Sequence, residues 1–281
     1  MSDLFDFEPP PPLYAVMGNP VDHSLSPRIH GMFARQYGMK LDYRRIHVDV
    51  GGFDQAVDNF RAAGGQGVNA TVPFKIEAWE LADERTDRAG IAGAANTLSF
   101  RNDRIFADNT DGIGLCRDIT ANLGFDIEGE SVLVIGAGGA VRGVLGPLLE
   151  EKPVQLTLAN RTVDKAETLA DIFSARGPVR ATGFESLRGR SFDLAVNGTS
   201  ASLQGELPPL PEGLFNDGAL AYDIMYGREH TPFLRWAAEH GAAVVSDGLG
   251  MLVEQAAESF HIWHGKHPYT GPVIDELRWS A

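Results

Sequence analysis

The stretch Val132 to Gly143, VLVIGAGGAVRG, constrains this chain more than any other. Four apolar residues, Val132 to Ile135, read as a buried parallel strand, and Gly136, Gly138 and Gly139 follow at once. The residues after them can be helical. A strand that runs through a glycine turn into a helix start is a phosphate-binding arrangement. Glycine lets backbone approach a pyrophosphate, and the helix N-terminus supplies free N–H groups and a partial positive charge. A complete G-x-G-x-x-G would place its third glycine at position 141, where Val141 stands. The competing reading is an ordinary strand–helix turn.

Alternating strands and helices continue beyond this point. Gln155 to Ala159 reads as the second strand of a nucleotide unit. An NAD-preferring unit carries an Asp or Glu near the end of that strand, to hold the ribose 2′-hydroxyl. Here the strand runs into Asn160-Arg161-Thr162, with Lys165 further on and no acid directly at its end. An acid would repel a 2′-phosphate, whereas an arginine and a lysine pair with it. The expected cofactor is therefore NADP, with Asp164 diluting the argument. Phe192 to Val196, Ala219 to Ile224 and Ala243 to Val245 supply further strands, and Thr231-Pro232 opens a helix. These lengths suggest a nucleotide domain of roughly 135 residues set between two pieces of a second domain.

The N-terminal piece begins with a short strand, Leu13 to Met17, and a Gly18-Asn19-Pro20 turn. In HSLSPRIHGMFARQYG, Pro27 suits the first helical position and Ser26 the N-cap before it. Ile29, Met32, Phe33 and Tyr37 form the helical stripe, and Gly38 ends it. Ser24 and Ser26 thus place hydroxyls beside free N–H groups, which suits a carboxylate or phosphate; the plainer reading makes Ser26 a cap and nothing more. Further strands are expected at Tyr43 to Val48 and Gly67 to Thr71, and a helix at Phe53 to Ala63. Pro73 opens the next helix, so Lys75 of NATVPFK falls in its first turn. The dipole there disfavours positive charge, an unusual setting that suits a lysine trading protons. Asn96 precedes an apolar strand, and Asp111 precedes a helix over Gly112 to Leu123. Asp111 reads either as an N-cap or as the acid–base partner of Lys75. Near the C-terminus, DGLGMLVEQAAESFHIWHG makes a glycine turn and a helix with Leu252, Ala256, Phe260 and Trp263 on its apolar stripe. Gln255 lies one position off that stripe, able to face a cleft.

Composition removes several classes. With 24 Lys and Arg against 38 Asp and Glu, the net charge of −14 disfavours a nucleic-acid partner. The lone Cys116 cannot form an internal disulfide and fits a reducing, cytoplasmic setting. No Cys/His cluster has metal-ligand spacing, and no apolar run is long enough to span a bilayer. The segment MSDLFDFEPPPPL lacks the features of a signal peptide; it reads as a flexible leader, extended at Pro9 to Pro12.

In chain order, HSLSP, NATVPFK, AGAANTL, DNTDGIG, GAGGAVRG, NRT, YDIMY and DGLGMLVEQAA resemble the shikimate dehydrogenase family. The resemblance runs from about Leu13 to Gly265. It implies an α/β chain of two domains, an α/β substrate-binding domain and a Rossmann-type NADP-binding domain separated by a cleft. The implied division is 1–112 for the first part of the substrate domain, 113–247 for the NADP domain, and 248–281 for helices returning to the substrate domain. The implied activity is reduction of the C3 ketone of 3-dehydroshikimate to shikimate with NADPH. By the same resemblance Ser24 and Ser26 bind the substrate carboxylate. Thr71, Asn96, Asp111 and Gln255 bond the ring hydroxyls, and Tyr226 closes the site. Lys75 and Asp111 match the catalytic pair. Gly136, Ala137, Gly138, Gly139 and Ala140 carry the pyrophosphate. Asn160, Arg161, Thr162 and Lys165 hold the 2′-phosphate, and Ile224 and Gly248 line the nicotinamide. Many members carry arginine where Lys165 stands, so a weaker but retained NADP preference is expected. The partners expected are a small-molecule substrate and a second copy in a homodimer, with no nucleic acid and no membrane. Three alternatives stand beside this reading: a quinate/shikimate dehydrogenase with broader substrate and NAD use, a folate- or amino-acid-type dehydrogenase on a related two-domain fold, and a non-catalytic dinucleotide-binding regulator.

Overall fold

A computed structural model describes residues 10–199, 201 and 205–279. The expected leader falls largely at 1–9, outside the described residues; of its prolines, Pro10 to Pro12 have no regular secondary structure. The first half alternates short elements: β1 (Leu13–Gly18), α1 (Ser26–Gln36), β2 (Asp42–His47), α2 (Phe53–Ala62), β3 (Gly65–Ala70) and α3 (Lys75–Leu81). Then come β4 (Glu84–Arg85), α4 (Asp87–Ala92), β5 (Thr97–Arg101), β6 (Arg104–Asp108) and α5 (Asp111–Arg117), which runs into a π-helical turn at Asp118–Asn122. The second half holds β7 (Ser131–Ile135), α6 (Gly139–Glu150), β8 (Gln155–Ala159), α7 (Val163–Phe173), β9 (Val179–Thr182), β10 (Phe192–Asn197), β11 (Phe215–Asp223), α8 (Pro232–Glu239) and β12 (Val244–Asp247). Helices α9 (Leu249–His264) and α10 (Gly271–Trp279) close the chain.

The strands form two separate six-stranded sheets. One runs β2-β1-β3-β5-β6-β4, and the other β12-β11-β10-β7-β8-β9. Every ladder in the second sheet is parallel. That explains its sequence: a parallel sheet covered on both faces needs unbroken apolar strands such as VLVI, not alternating ones. Val132, Val134, Leu156, Leu158 and Val196 pack under α6 and α7 on one face. Leu133, Ile135 and Ala195 meet Phe233 and Leu234 of α8 on the other. The first sheet is mixed, with β5 antiparallel to both β3 and β6. One of its clusters packs Val68, Leu98 and Ile105 with Phe53, Val57 and Phe74. In another, Ile29 and Phe33 of α1 meet Val253, Ala256 and Phe260 of α9, so the C-terminal helices lie against the N-terminal half.

Val141, the departure from a third glycine, is fully buried among the core of the second sheet. Close packing is kept by a glycine on the opposite side. A Cβ on Gly198 would lie 2.4 Å from a Val141 methyl, so the valine is accommodated only because its neighbour there is glycine.

Several local readings are corrected. Ser26 is the first residue of α1, not its N-cap; Leu25 takes that position and no side chain caps the helix. Thr110, not Asp111, is the N-cap of α5, because the Asp111 carboxylate is engaged elsewhere. The expected helix to Leu123 is α at first and widens to a π turn, where Leu123 N–H bonds the Asp118 carbonyl. The hairpin partner β6 is absent from the reading because its alternation, RIFAD, is too short to stand out. Strand β11 starts at Phe215, ahead of the expected Ala219: Phe215 pairs with Phe192, and the register shifts before Leu220 pairs with Leu194.

Candidate active site

A cavity of about 330 Å³ opens between the two sheets. Four elements supply its polar wall, and local sequence explains each. The turn before α1 carries Ser24, and Ser26 is the first residue of that helix. The Ser26 N–H donates to Ser24 Oγ at 3.3 Å, and Ser24 Oγ donates to Ser26 Oγ at 3.2 Å. Past β3, Pro73 ends the strand and α3 starts at Lys75, whose side chain turns back into the cavity with Thr71. The loop between β6 and α5 delivers Asp111, and α9 delivers Gln255.

The centre of this wall is charged. Lys75 Nζ donates to Asp111 Oδ2 at 2.5 Å, with the carboxylate buried and the ammonium about a quarter exposed. Asn96 lies behind the pair. Its amide nitrogen faces Asp111 Oδ1 at 2.9 Å, Thr110 Oγ1 at 2.8 Å and Gln255 Oε1 at 3.1 Å, while its oxygen accepts from Thr110 N–H at 2.9 Å. One face of the carboxylate is thereby fixed by the protein and the other holds the lysine. Charged donors and acceptors held this way in a partly dry site interact more strongly than in water.

Further back, Asp108 stiffens the loop that carries Asp111. Its two oxygens accept from Nε and one terminal nitrogen of Arg88 at 2.6 and 2.7 Å, and Oδ1 also accepts from Asn109 N–H at 2.7 Å. Arg88 also reaches Glu258 of α9 at 3.1 Å, and Glu258 takes Arg117 at 2.7 Å. These arginines hold the Glu258 carboxyl below the ordinary carboxylate range, against the opposing effect of burial.

All eight substrate-contact residues named from the sequence line the one cavity: Ser24, Ser26, Thr71, Lys75, Asn96, Asp111, Tyr226 and Gln255. Ile224 and Gly248 line it from the second sheet. Gly248 is dictated by contact, since a Cβ there would lie 2.2 Å from the Ile224 carbonyl oxygen. Sequence reading leaves out Asn69, which also lines the cavity. Its amide donates to the Asn96 carbonyl at 3.0 Å, and its oxygen accepts from Tyr43 Oη at 2.6 Å. The signal was available: Asn69 stands two residues before Thr71, and strand residues two apart share a face.

The glycine turn lies at the end of β7. Gly136 has φ of 110°, which a side chain resists, and its N–H bonds the Ala159 carbonyl at 2.8 Å. No side chain caps α6, and a Cβ on Gly138 or Gly139 would meet nothing within 4 Å. The first N–H groups of a twelve-residue helix are therefore left without a side-chain cap. A second cavity of about 320 Å³ begins there, lined by Ala137, Gly138, Gly139, Arg142 and Lys165. Asn160, Arg161 and Thr162 follow β8 directly. Asn160 Nδ2 donates to the Thr162 carbonyl at 2.8 Å, and Arg161 projects outward without an acid beside it on the strand end. This donor set fits a phosphorylated dinucleotide. Among the described residues no cluster of three or more His, Cys, Asp or Glu could hold a metal, and no helix is long and apolar enough to cross a membrane.

Fold and cleft together define an α/β dinucleotide-dependent oxidoreductase with a substrate-binding and a nucleotide-binding domain. Comparisons make the class specific. Residues 16–98 match the shikimate dehydrogenase substrate binding domain, 118–203 match shikimate / quinate 5-dehydrogenase, and 248–278 match the shikimate 5'-dehydrogenase C-terminal domain. Shikimate dehydrogenase (NADP(+)) of Alkalilimnicola ehrlichii is 57% identical over 94% of this chain and 98% of its own length. That of Chromobacterium violaceum is 54% identical over 94% and 97%. Among solved structures, shikimate 5-dehydrogenase from Thermus thermophilus in complex with NADP(H) and shikimate has a TM-score of 0.85 at 32% identity, covering 96% of this chain and all of the other. An Ael1 enzyme from Pseudomonas putida has a TM-score of 0.89 at 49% identity, covering 95% and 98%. The chain belongs to the shikimate dehydrogenase family.

Proposed function

We propose that Lys75 and Asp111 are the proton-transfer pair of this cleft, and the observation that carries the proposal is their 2.5 Å contact at the cavity wall. The chain catalyses the reversible NADPH-dependent reduction of 3-dehydroshikimate to shikimate, a step of the shikimate pathway that leads to chorismate and aromatic amino acids. NADPH, when bound, supplies the hydride. Reduction of a ketone leaves charge on its oxygen, so a proton must arrive there. In our reading Lys75 Nζ delivers that proton to the C3 oxygen. Asp111 orients the ammonium and accepts from the C4 hydroxyl, and Asn96 keeps the carboxylate from turning away. Ser24 and Ser26 take the substrate carboxylate, Thr71 and Gln255 the remaining ring hydroxyls, and Tyr226 closes the site from the second sheet.

For the cofactor, the uncapped start of α6 with Gly136 to Ala140 holds the pyrophosphate. Asn160, Arg161, Thr162 and Lys165 hold the 2′-phosphate, and Ile224 and Gly248 lie along the nicotinamide. The chain division 1–112, 113–247 and 248–281 belongs to the same proposal, supported by the two separate sheets and by α9 packing on α1. A cytoplasmic setting is supported by the lone, buried Cys116 thiol. A homodimer is the assembly we propose, and sedimentation at micromolar concentration tests it: a monomer mass there removes it.

Replacing Arg161 with Ala tests the phosphate assignment. Loss of a charge-assisted contact should raise the KM for NADP by about ten- to a hundredfold and leave that for NAD nearly unchanged. Equal losses with the two cofactors would mean that Arg161 serves the fold or the shared part of the dinucleotide.

A further inference from the structure

We propose that Arg45 is a positioning residue for substrate binding, holding the serine turn that receives the carboxylate and placing a positive charge behind it. The proposal rests on the shikimate reading of the cleft. Arg45 is an exposed residue of β2, in register with Val16 of β1, and lies on the same strand face as Tyr43. Its Nε and one terminal nitrogen donate to the Ser24 carbonyl at 2.8 and 2.6 Å. A planar guanidinium that grips one oxygen through two donors fixes direction as well as distance.

Nothing else anchors that carbonyl among the described hydrogen bonds. The Ser24 N–H goes to the Val21 carbonyl at 3.0 Å, and its hydroxyl is shared with Ser26. Arg45 therefore sets the orientation of the peptide that aims both hydroxyls into the cavity. Its neighbours are spoken for: Arg44 pairs with Asp42, and His47 lies 3.7 Å from Asp49. Among the described ion pairs Arg45 has no carboxylate partner, so its charge is left for the anion bound one residue away. On a chain of net charge −14, such a local cation also favours the approach of an anionic substrate. Tyr43 does a parallel task on the same strand, holding the Asn69 side chain at the opposite wall.

The test is steady-state kinetics of shikimate oxidation with wild type, Arg45→Gln and Arg45→Lys, at low and high salt. Wild-type turnover of shikimate tests the underlying reading by itself. For Arg45→Gln, the KM for shikimate should rise about tenfold, while kcat and the KM for NADP stay within about twofold. Salt should weaken shikimate binding to wild type more than to Arg45→Gln, because the screened attraction is already gone from the variant. Arg45→Lys keeps the charge without the fork, and should recover part of the KM and most of the salt dependence. A shikimate KM within twofold of wild type, a parallel fall in kcat and NADP affinity, or a lysine variant no better than glutamine would each overturn the proposal.

Discussion

Replacing Lys75 with Met should lower kcat for shikimate oxidation by about 10²- to 10⁴-fold, the usual worth of a positioned general acid or base. That corresponds to roughly 3–5 kcal/mol of transition-state stabilisation. Methionine keeps most of the side-chain length, so Thr71 and the serine turn should still find substrate, and shikimate binding measured calorimetrically should change far less than turnover. Asp111→Asn should fall less steeply. The amide can still accept a hydrogen bond from Asn96, which Thr110 N–H holds in place, but the charge that fixes the ammonium is lost. A Lys75→Met variant that retains turnover within tenfold of wild type, with shikimate bound, would place the proton-transferring group elsewhere in the cleft.

The second large effect concerns stability and pH. His30 is fully buried in α1, stacked on Tyr43 with ring centroids 4.4 Å apart and 11° between planes. Trp263 and Phe260 of α9 enclose it at 5.3 and 6.2 Å. Burial pushes its pKa down from 6.5 to about 3, with repulsion from His264 adding to the shift and Asn69 opposing it weakly. His264 itself is lowered to about 4 by burial and by Lys266. The folded protein therefore keeps His30 neutral, while the unfolded chain protonates it below about pH 6.5. Between those values the unfolded state binds more protons, so stability is complete above pH 6.5 and falls as pH drops toward 3. From His30 alone the loss between pH 7 and pH 4.5 is about 2.5 kcal/mol. His30→Phe keeps a ring in the stack and removes the titration. The wild-type denaturant midpoint should then fall more steeply than that of the variant as the pH is lowered from 7 to 4.5. Parallel curves over that range would show that His30 is not held neutral by the fold.

The second sheet was legible because each of its devices is local. VLVI followed by a glycine turn declares a buried parallel strand, and the NRT segment after β8 lacks an acid within the same few residues. The substrate wall is a different case. Ser24, Lys75, Asn96, Asp111 and Gln255 sit on separate elements, and no spacing rule brings Lys75 within 2.5 Å of a residue thirty-six positions away. Read one at a time, Ser26 and Asp111 were as well explained as helix caps. It was the ordered set of motifs that joined them. What neither route gave was the layer behind the site. Asp108, Arg88 and Glu258 form ion pairs between elements far apart in the chain, and Arg45 acts on a backbone carbonyl that no side-chain pattern reveals. Val141 shows the same limit from the other direction. The motif alone does not show that Gly198, fifty-seven residues further on, faces Val141.

The most direct measurement is the initial rate of shikimate oxidation, followed by nicotinamide absorbance, with NADP and NAD in parallel and quinate as a second substrate. The Ser24/Ser26 turn, the Lys75–Asp111 pair and the cations after β8 together predict that shikimate with NADP far exceeds the other three combinations. Comparable rates with NAD or with quinate, from folded protein shown to bind NADP, would contradict that account.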